Sequence, residues 1–114
     1  MRESQLVSEL IRGLYPVVKL YRTNAGTFRS LDGSHIIHGL PAGFSDLFGV
    51  IPKNRTADGR PMPVFLEAKI YPNRATPEQL DFLKLYRDAG CIAGVVYSVA
   101  GAWKLIEPAL KKVK

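Results

Sequence analysis

Val64-Phe65-Leu66-Glu67-Ala68-Lys69-Ile70 is the stretch on which the fold turns. Five of its seven residues are apolar, and a carboxylate and an ammonium stand two positions apart among them. A short apolar run bounded by turn residues reads as a strand. Strand alternation sends Val64, Leu66, Ala68 and Ile70 to one face and Phe65, Glu67 and Lys69 to the other. Glu67 and Lys69 are then same-face neighbours, roughly 7 Å apart at Cα. Beyond them Tyr71 to Ala75 is a basic connection, and Thr76-Pro77-Glu78-Gln79 opens a helix in three ways at once. Thr76 is the N-cap, Pro77 takes N1, and Gln79 at N3 completes a capping box. The helix is predicted to run to about Ala89 and to end at Gly90. Ile92 to Val99 is a second apolar strand, so 64–99 forms a βαβ unit with a parallel strand pair and a right-handed crossover.

On the N-terminal side, the polar segment Pro52 to Pro63 contains Asp58-Gly59 and reads as a surface loop. Phe44 to Ile51 before it is a strand candidate. Gly39, Pro41 and Gly43 mark a loop, and Thr27 to Leu31 with Ser34 to Ile37 flank Asp32-Gly33, a two-residue hairpin signal. Asn24-Ala25-Gly26 turns the chain, and Val17 to Arg22 is a strand by composition. Leu6, Val7, Leu10, Ile11 and Leu14 recur at helical spacing and predict a first helix from residue 3 to Gly13 or Leu14, stopped by Pro16. Trp103 to Val113 is predicted as a last helix with a basic end. This order predicts an α/β fold, a single domain over 1–114, with a central mixed β-sheet flanked by helices.

The 114 residues are 46% hydrophobic and 23% charged, a globular composition that excludes a wholly disordered chain. Sixteen Lys and Arg against ten Asp and Glu leave a net charge of +6, which favours a polyanionic partner, nucleic acid first. The single Cys91 excludes an internal disulfide framework and a zinc ribbon. No apolar run reaches the length of a membrane span, and no signal-peptide pattern opens the chain, so a cytoplasmic protein without membrane association is expected.

Glu67 and Lys69 admit two readings: an ion pair on a sheet face, or groups that await a metal or a substrate. Asp46 shifts the balance. If the strands on either side of 52–63 pair as a hairpin, Asp46 lies close to opposite Glu67. Two adjacent carboxylates repel unless a cation sits between them, and hard Mg²⁺ or Mn²⁺ suits such an oxygen site. Two further residues converge on this site. Glu3 shares the apolar stripe of the first helix, whereas Glu9 falls off it; a helix N-terminal acid favoured by the macrodipole is the competing reading of Glu3. Gln79 heads the apolar stripe Phe82, Leu83, Tyr86, and its capping role and a site role are compatible.

This ordered set resembles the PD-(D/E)xK nuclease superfamily, and within it the virus-type replication-repair (VRR-NUC) nucleases. The pieces are Glu3 leading a helix, Tyr21-Arg22-Thr23-Asn24-Ala25-Gly26, Gly43-Phe44-Ser45-Asp46-Leu47, Glu67-Ala68-Lys69 on an apolar strand, and Thr76-Pro77-Glu78-Gln79 on a helix. Ser45 stands where the broader superfamily often has Pro, and Ser-Asp is usual in this branch. The resemblance implies a restriction-endonuclease-like core of α-β-β-β-α-β order. It implies that Asp46, Glu67 and the Ala68 carbonyl hold Mg²⁺ or Mn²⁺, that Glu3 assists, that Lys69 orients or activates the attacking water, and that Gln79 steadies the site. It further implies hydrolysis leaving a 5′-phosphate and a 3′-hydroxyl, and a viral or prophage-type enzyme selective for branched DNA such as Holliday junctions or flaps.

Arg22, Asn24, Arg29, Ser45 and Arg74 are the expected nucleic-acid contacts, with Lys53, Arg55 and Arg60 as further loop cations. His35 and His38 are read as hairpin polar residues. Paired incisions on a branch point need two protomers, so a homodimer is expected, with Phe28, Ile36, Ile37, Leu40 and Trp103 as candidate interface. A non-catalytic nucleic-acid-binding module and an RNase are the alternatives.

Overall fold

In the structure, a computed structural model describing residues 1–23 and 27–112, the alternation along 62–68 sorts side chains into two cores. The elements in chain order are α1 (Glu3–Leu14), β1 (Tyr21–Arg22), β2 (Thr27–Arg29), β3 (Ile36–His38), β4 (Leu47–Ile51), β5 (Met62–Ala68), α2 (Pro77–Asp88), β6 (Ile92–Val96) and α3 (Val99–Ile106), with a 3-10 turn at Glu107–Ala109. Four strands form one mixed sheet in the order β1-β4-β5-β6. β4 pairs antiparallel with β1 and β5, and β5 pairs parallel with β6. Val64, Leu66 and Ala68 of β5 pack in one core with Leu6, Leu10 and Leu14 of α1 and Ala102 and Ile106 of α3. Phe65 points the other way, into a core with Leu83 of α2 and Ala93 of β6. Phe44, Phe48, Phe82 and Tyr86 close around it, with the Phe65 and Tyr86 ring centroids 4.5 Å apart. The protein is therefore α/β, a central mixed sheet flanked by helices.

Several element ends differ from those expected, where side chains or prolines take over backbone bonding. The strand predicted at Val17–Arg22 shrinks to Tyr21–Arg22, because the Val18 N–H turns back to the Leu14 carbonyl as the chain leaves α1. Val18 and Leu20 are nevertheless buried. The strand predicted from Phe44 begins only at Leu47. β5 starts two residues early, and Pro63 is tolerated because β6 first pairs at Val64, where Pro63 has no second neighbour to serve. The strand predicted to Val99 stops at Val96, since Ser98 caps α3 by accepting from the Gly101 N–H. The last helix is thus Val99–Ile106 rather than 103–113, and Pro108 restricts the chain after it to a 3-10 turn.

The early hairpin is present, but as a separate two-stranded sheet, β2-β3. Its turn is longer than the two residues expected. The Ser30 N–H donates to the His35 carbonyl, and the Asp32 carboxylate accepts from Ser30 Oγ, Ser34 N and Ser34 Oγ. These donors hold the Asp32 carboxyl at about 2, below its ordinary range. Among the described residues no helix is long and apolar enough to cross a membrane.

Candidate active site

Register brings the two central carboxylates together. Leu47 pairs with Leu66, so one step further along the same ladder Asp46 stands opposite Glu67. Asp46 lies one residue before β4 begins. Its carboxylate Oδ2 accepts the Ala68 N–H at 2.9 Å, which aims the side chain across β5. Thr23 braces the same turn from β1's end: its N–H donates to the Asp46 carbonyl at 2.9 Å and its hydroxyl donates to the Ser45 carbonyl.

Glu67 is 1% exposed. Gln79 Nε2 donates to its Oε2 at 3.2 Å, and Lys69 Nζ lies 3.6 Å from the same oxygen. Oε1 is buried with no hydrogen-bond partner. Burial first, and the adjacent Asp46 second, push the Glu67 carboxyl up to about 8, while Lys69 pulls against them. Gln79 reaches the site because its other contacts are spent on the helix start. Its Oε1 accepts the Thr76 N–H at 2.9 Å and its own N–H donates to Thr76 Oγ1 at 3.2 Å, the complete capping box. One side chain thus ends a loop, starts α2 and meets Glu67.

A cation fits this arrangement. Among the described residues no group of three or more His, Cys, Asp or Glu side chains forms a ready-made cage. Mg²⁺ does not need one: it is commonly held by one or two carboxylates, with water and substrate phosphate oxygens completing the octahedron. The unpartnered buried Oε1 of Glu67, beside a second carboxylate, is the kind of atom such an ion would satisfy. Asp46 and Glu67 are the side chains that would hold it. Ala68 is fully buried, its side chain in the α1–α3 core and its N–H engaged by Asp46.

The other expected residues divide. Ser45, expected at a nucleic-acid contact, is 0% exposed, and its hydroxyl donates to the Leu47 carbonyl; burial removes it from any surface contact. Among the described residues no hydrogen bond or ion pair joins Glu3 to Asp46 or Glu67, and Glu3 and Glu9 are both half-buried. Glu9, expected to be solvated, lines an open cavity of about 380 Å³ with Ser4, Ser8, Arg12 and Arg22. Arg22 is exposed, its guanidinium donating to Ser8 Oγ at 2.8 Å. Arg74 is exposed just beyond β5. Lys53, Arg55 and Arg60, expected beside the site, sit on the loop at the far end of the β4–β5 hairpin, separated from Asp46 and Glu67 by its length. Asn24 lies outside the described residues, as do the side chains of Phe28, Arg29, Ile37 and His38. Thr23 is the positioning residue that sequence reasoning missed; its place directly after the β1 strand, inside Tyr21–Gly26, was the available signal.

Comparison of the chain with protein-family models, with curated proteins and with solved structures gave no match.

Proposed function

We propose that this chain is a metal-dependent DNA endonuclease, a phosphodiester hydrolase of the VRR-NUC kind that uses Mg²⁺ or Mn²⁺. The observation that carries the reading is the buried carboxylate of Glu67, with one oxygen held by Gln79 and approached by Lys69 and the other left without a partner beside Asp46. A purely structural residue at this position would be apolar, since an unsatisfied buried carboxylate costs stability. The net charge of +6 supports a polyanionic substrate.

When bound, a divalent cation lowers the pKa of water and offsets charge gathering on the phosphate. The chain's own groups do the rest. Asp46 is oriented by the Ala68 N–H, and Glu67 by Gln79, so neither carboxylate has to reorganise as charge develops. Lys69, 13% exposed at the rim, brings a positive charge to the same phosphate and orients the attacking water. Arg22 at the end of β1 and Arg74 beyond β5 are exposed and fit backbone contacts that give affinity without sequence preference. Branched DNA as the preferred substrate, a homodimer and a cytoplasmic setting belong to the same proposal.

Supercoiled plasmid incubated with Mg²⁺ and with EDTA tests it. Nicking is expected only with Mg²⁺, and Asp46→Asn and Lys69→Ala are expected to lower it by at least roughly 100-fold. The two variants should part in a second measurement. Mn²⁺ binding by calorimetry is lost in Asp46→Asn and kept in Lys69→Ala, because an ammonium is not a ligand. DNA bound tightly but never cut would make this a binding module, and cleavage confined to RNA would make it an RNase.

A further inference from the structure

Beside the carboxylates, where β5 and β6 end, lies a cavity of about 450 Å³ lined by Tyr71, Arg74, Leu80, Val95 and Tyr97 together with Pro72 and Ala75. Tyr71 is 83% exposed and Tyr97 45% exposed. Two aromatic side chains and a half-exposed Leu80 around one hollow are costly to leave in water. The hollow is joined to the candidate active site in two ways. Val95, in its lining, is the register partner of Glu67, so the two residues are ladder neighbours on strands about 4.8 Å apart. Leu80 directly follows Gln79, whose amide meets Glu67. The Tyr97 hydroxyl donates to the Asn73 carbonyl at 3.3 Å, which ties the ring to the 70–75 connection. The lining contains one charged residue, Arg74, and no carboxylate.

We propose that this cavity takes an unpaired nucleobase of the strand whose phosphate lies at Glu67 and Lys69. The proposal rests on the nuclease reading for the position of that phosphate. Its chemistry is that of a single-strand stacking site: aromatic faces that accept any base, beside a cation for the backbone. The volume lies within the range of small-ligand pockets and admits a planar base. Charge selects the occupant. A nucleotide brings a phosphate for Arg74 and Lys69, whereas an apolar protein segment would leave Arg74 unanswered. A paired base is held in its stack, so the site favours strands that are already open, as at a flap or a branch point. An open strand of DNA and one of RNA offer the same base chemistry.

Short oligonucleotides carrying a central 2-aminopurine, one set with a DNA backbone and one with RNA, test this in EDTA, where cleavage plays no part. Wild-type protein is expected to quench the 2-aminopurine fluorescence of the single strand and not that of its duplex. Tyr71→Ala is expected to abolish the quench and to weaken single-strand binding roughly 5- to 100-fold, the loss that one stacked base accounts for. Leu80→Glu should do the same by placing a negative charge in the lining. Both positions are exposed, so folding is retained and is checked by circular dichroism. Leu85→Ala, exposed elsewhere on α2, should bind and quench as wild type. Quenching of one backbone set alone would assign the strand as DNA or as RNA. Unchanged quench and affinity in both Tyr71→Ala and Leu80→Glu would overturn the proposal. So would light scattering in which these variants lose self-association while oligonucleotide binding stays intact, which would give the surface to a second copy of the chain. Either failure leaves Mg²⁺-dependent plasmid nicking untouched, and loss of nicking leaves the quench in EDTA untouched, so the two readings fail separately.

Discussion

At Glu67 burial and the neighbouring Asp46 both disfavour the ionised carboxylate. The Glu67 carboxyl ionises at the ordinary 4.5 when unfolded and near 8 in the fold, so between these values the folded chain binds the proton more tightly. The stability this proton contributes is complete below pH 4.5 and is lost as pH rises through 8. Glu67→Gln keeps the shape and removes the charge. It should leave the thermal midpoint of metal-free protein nearly unchanged at pH 5 and raise it at pH 9, where only the wild type carries the penalised charge. Saturating Mg²⁺ at pH 9 should raise the midpoint of wild type and not of the variant. Melts that run parallel at both pH values would mean that ionised Glu67 is not penalised by its surroundings.

At the scale of elements, two local devices set the geometry. The capping box of α2 is the first. Thr76→Ala removes the acceptor for the Gln79 N–H and should cost about 1 kcal/mol in denaturant unfolding, with Thr76→Ser close to neutral. Gln79→Ala should in addition lower nicking roughly 10- to 100-fold, as loss of a supporting partner to a metal ligand does. Equal loss of activity in Thr76→Ala and Gln79→Ala would assign the effect to the helix start alone. The second device is Gly49 in β4, where an added Cβ would stand 2.6 Å from the Lys19 carbonyl and 2.9 Å from Val18 Cγ2. The chain leaving α1 crosses the sheet there without pairing to it. Gly49→Ala should destabilise by about 1–3 kcal/mol, read from the midpoint of urea unfolding at constant m. This crossing was not legible in the sequence. Val17 to Arg22 has strand composition, but only Tyr21 and Arg22 pair with β4, and residues 18–20 pack over Gly49, where the missing side chain lets them come close. The α2 start was legible because its bonds close within four residues.

The whole molecule is elongated, 56 × 28 × 26 Å along its principal axes. Among the described residues the β2–β3 hairpin forms a two-stranded sheet apart from the main one. Leu31, Ile36 and Leu40 on and after it are exposed, whereas Trp103, grouped with them on sequence grounds, packs against the α1–α3 core. A homodimer built through this hairpin would cover the exposed apolar side chains and give two sites related by the symmetry of a branched DNA. The expected mass in light scattering at micromolar concentration is about twice that of the chain. Ile36→Asp with Leu40→Asp should halve it and should convert paired cleavage of a four-way junction into single nicks. A wild-type monomer that cuts junctions in pairs would place the interface elsewhere or remove the need for it.

Alternation along 64–68, helical spacing along 6–14 and the Thr76–Gln79 signature were sufficient to determine the layers and the faces of this protein, because each is a repeat or a bond that closes within a few residues. They also determined that Glu67 and Lys69 share a face, and that Gln79 heads the helix packed on it. The meeting of Asp46 with Glu67 depended on one conditional, that the 52–63 segment joins an antiparallel pair, and the register of that pair settles it. Long-range packing sets the rest: Ser45 is buried while its neighbour Asp46 faces Glu67, the loop cations at 53–60 lie at the wrong end of the hairpin, and Tyr71 and Tyr97 close on one hollow beside the carboxylates. These are consequences of distance between residues far apart in the chain, and periodicity carries no information about them.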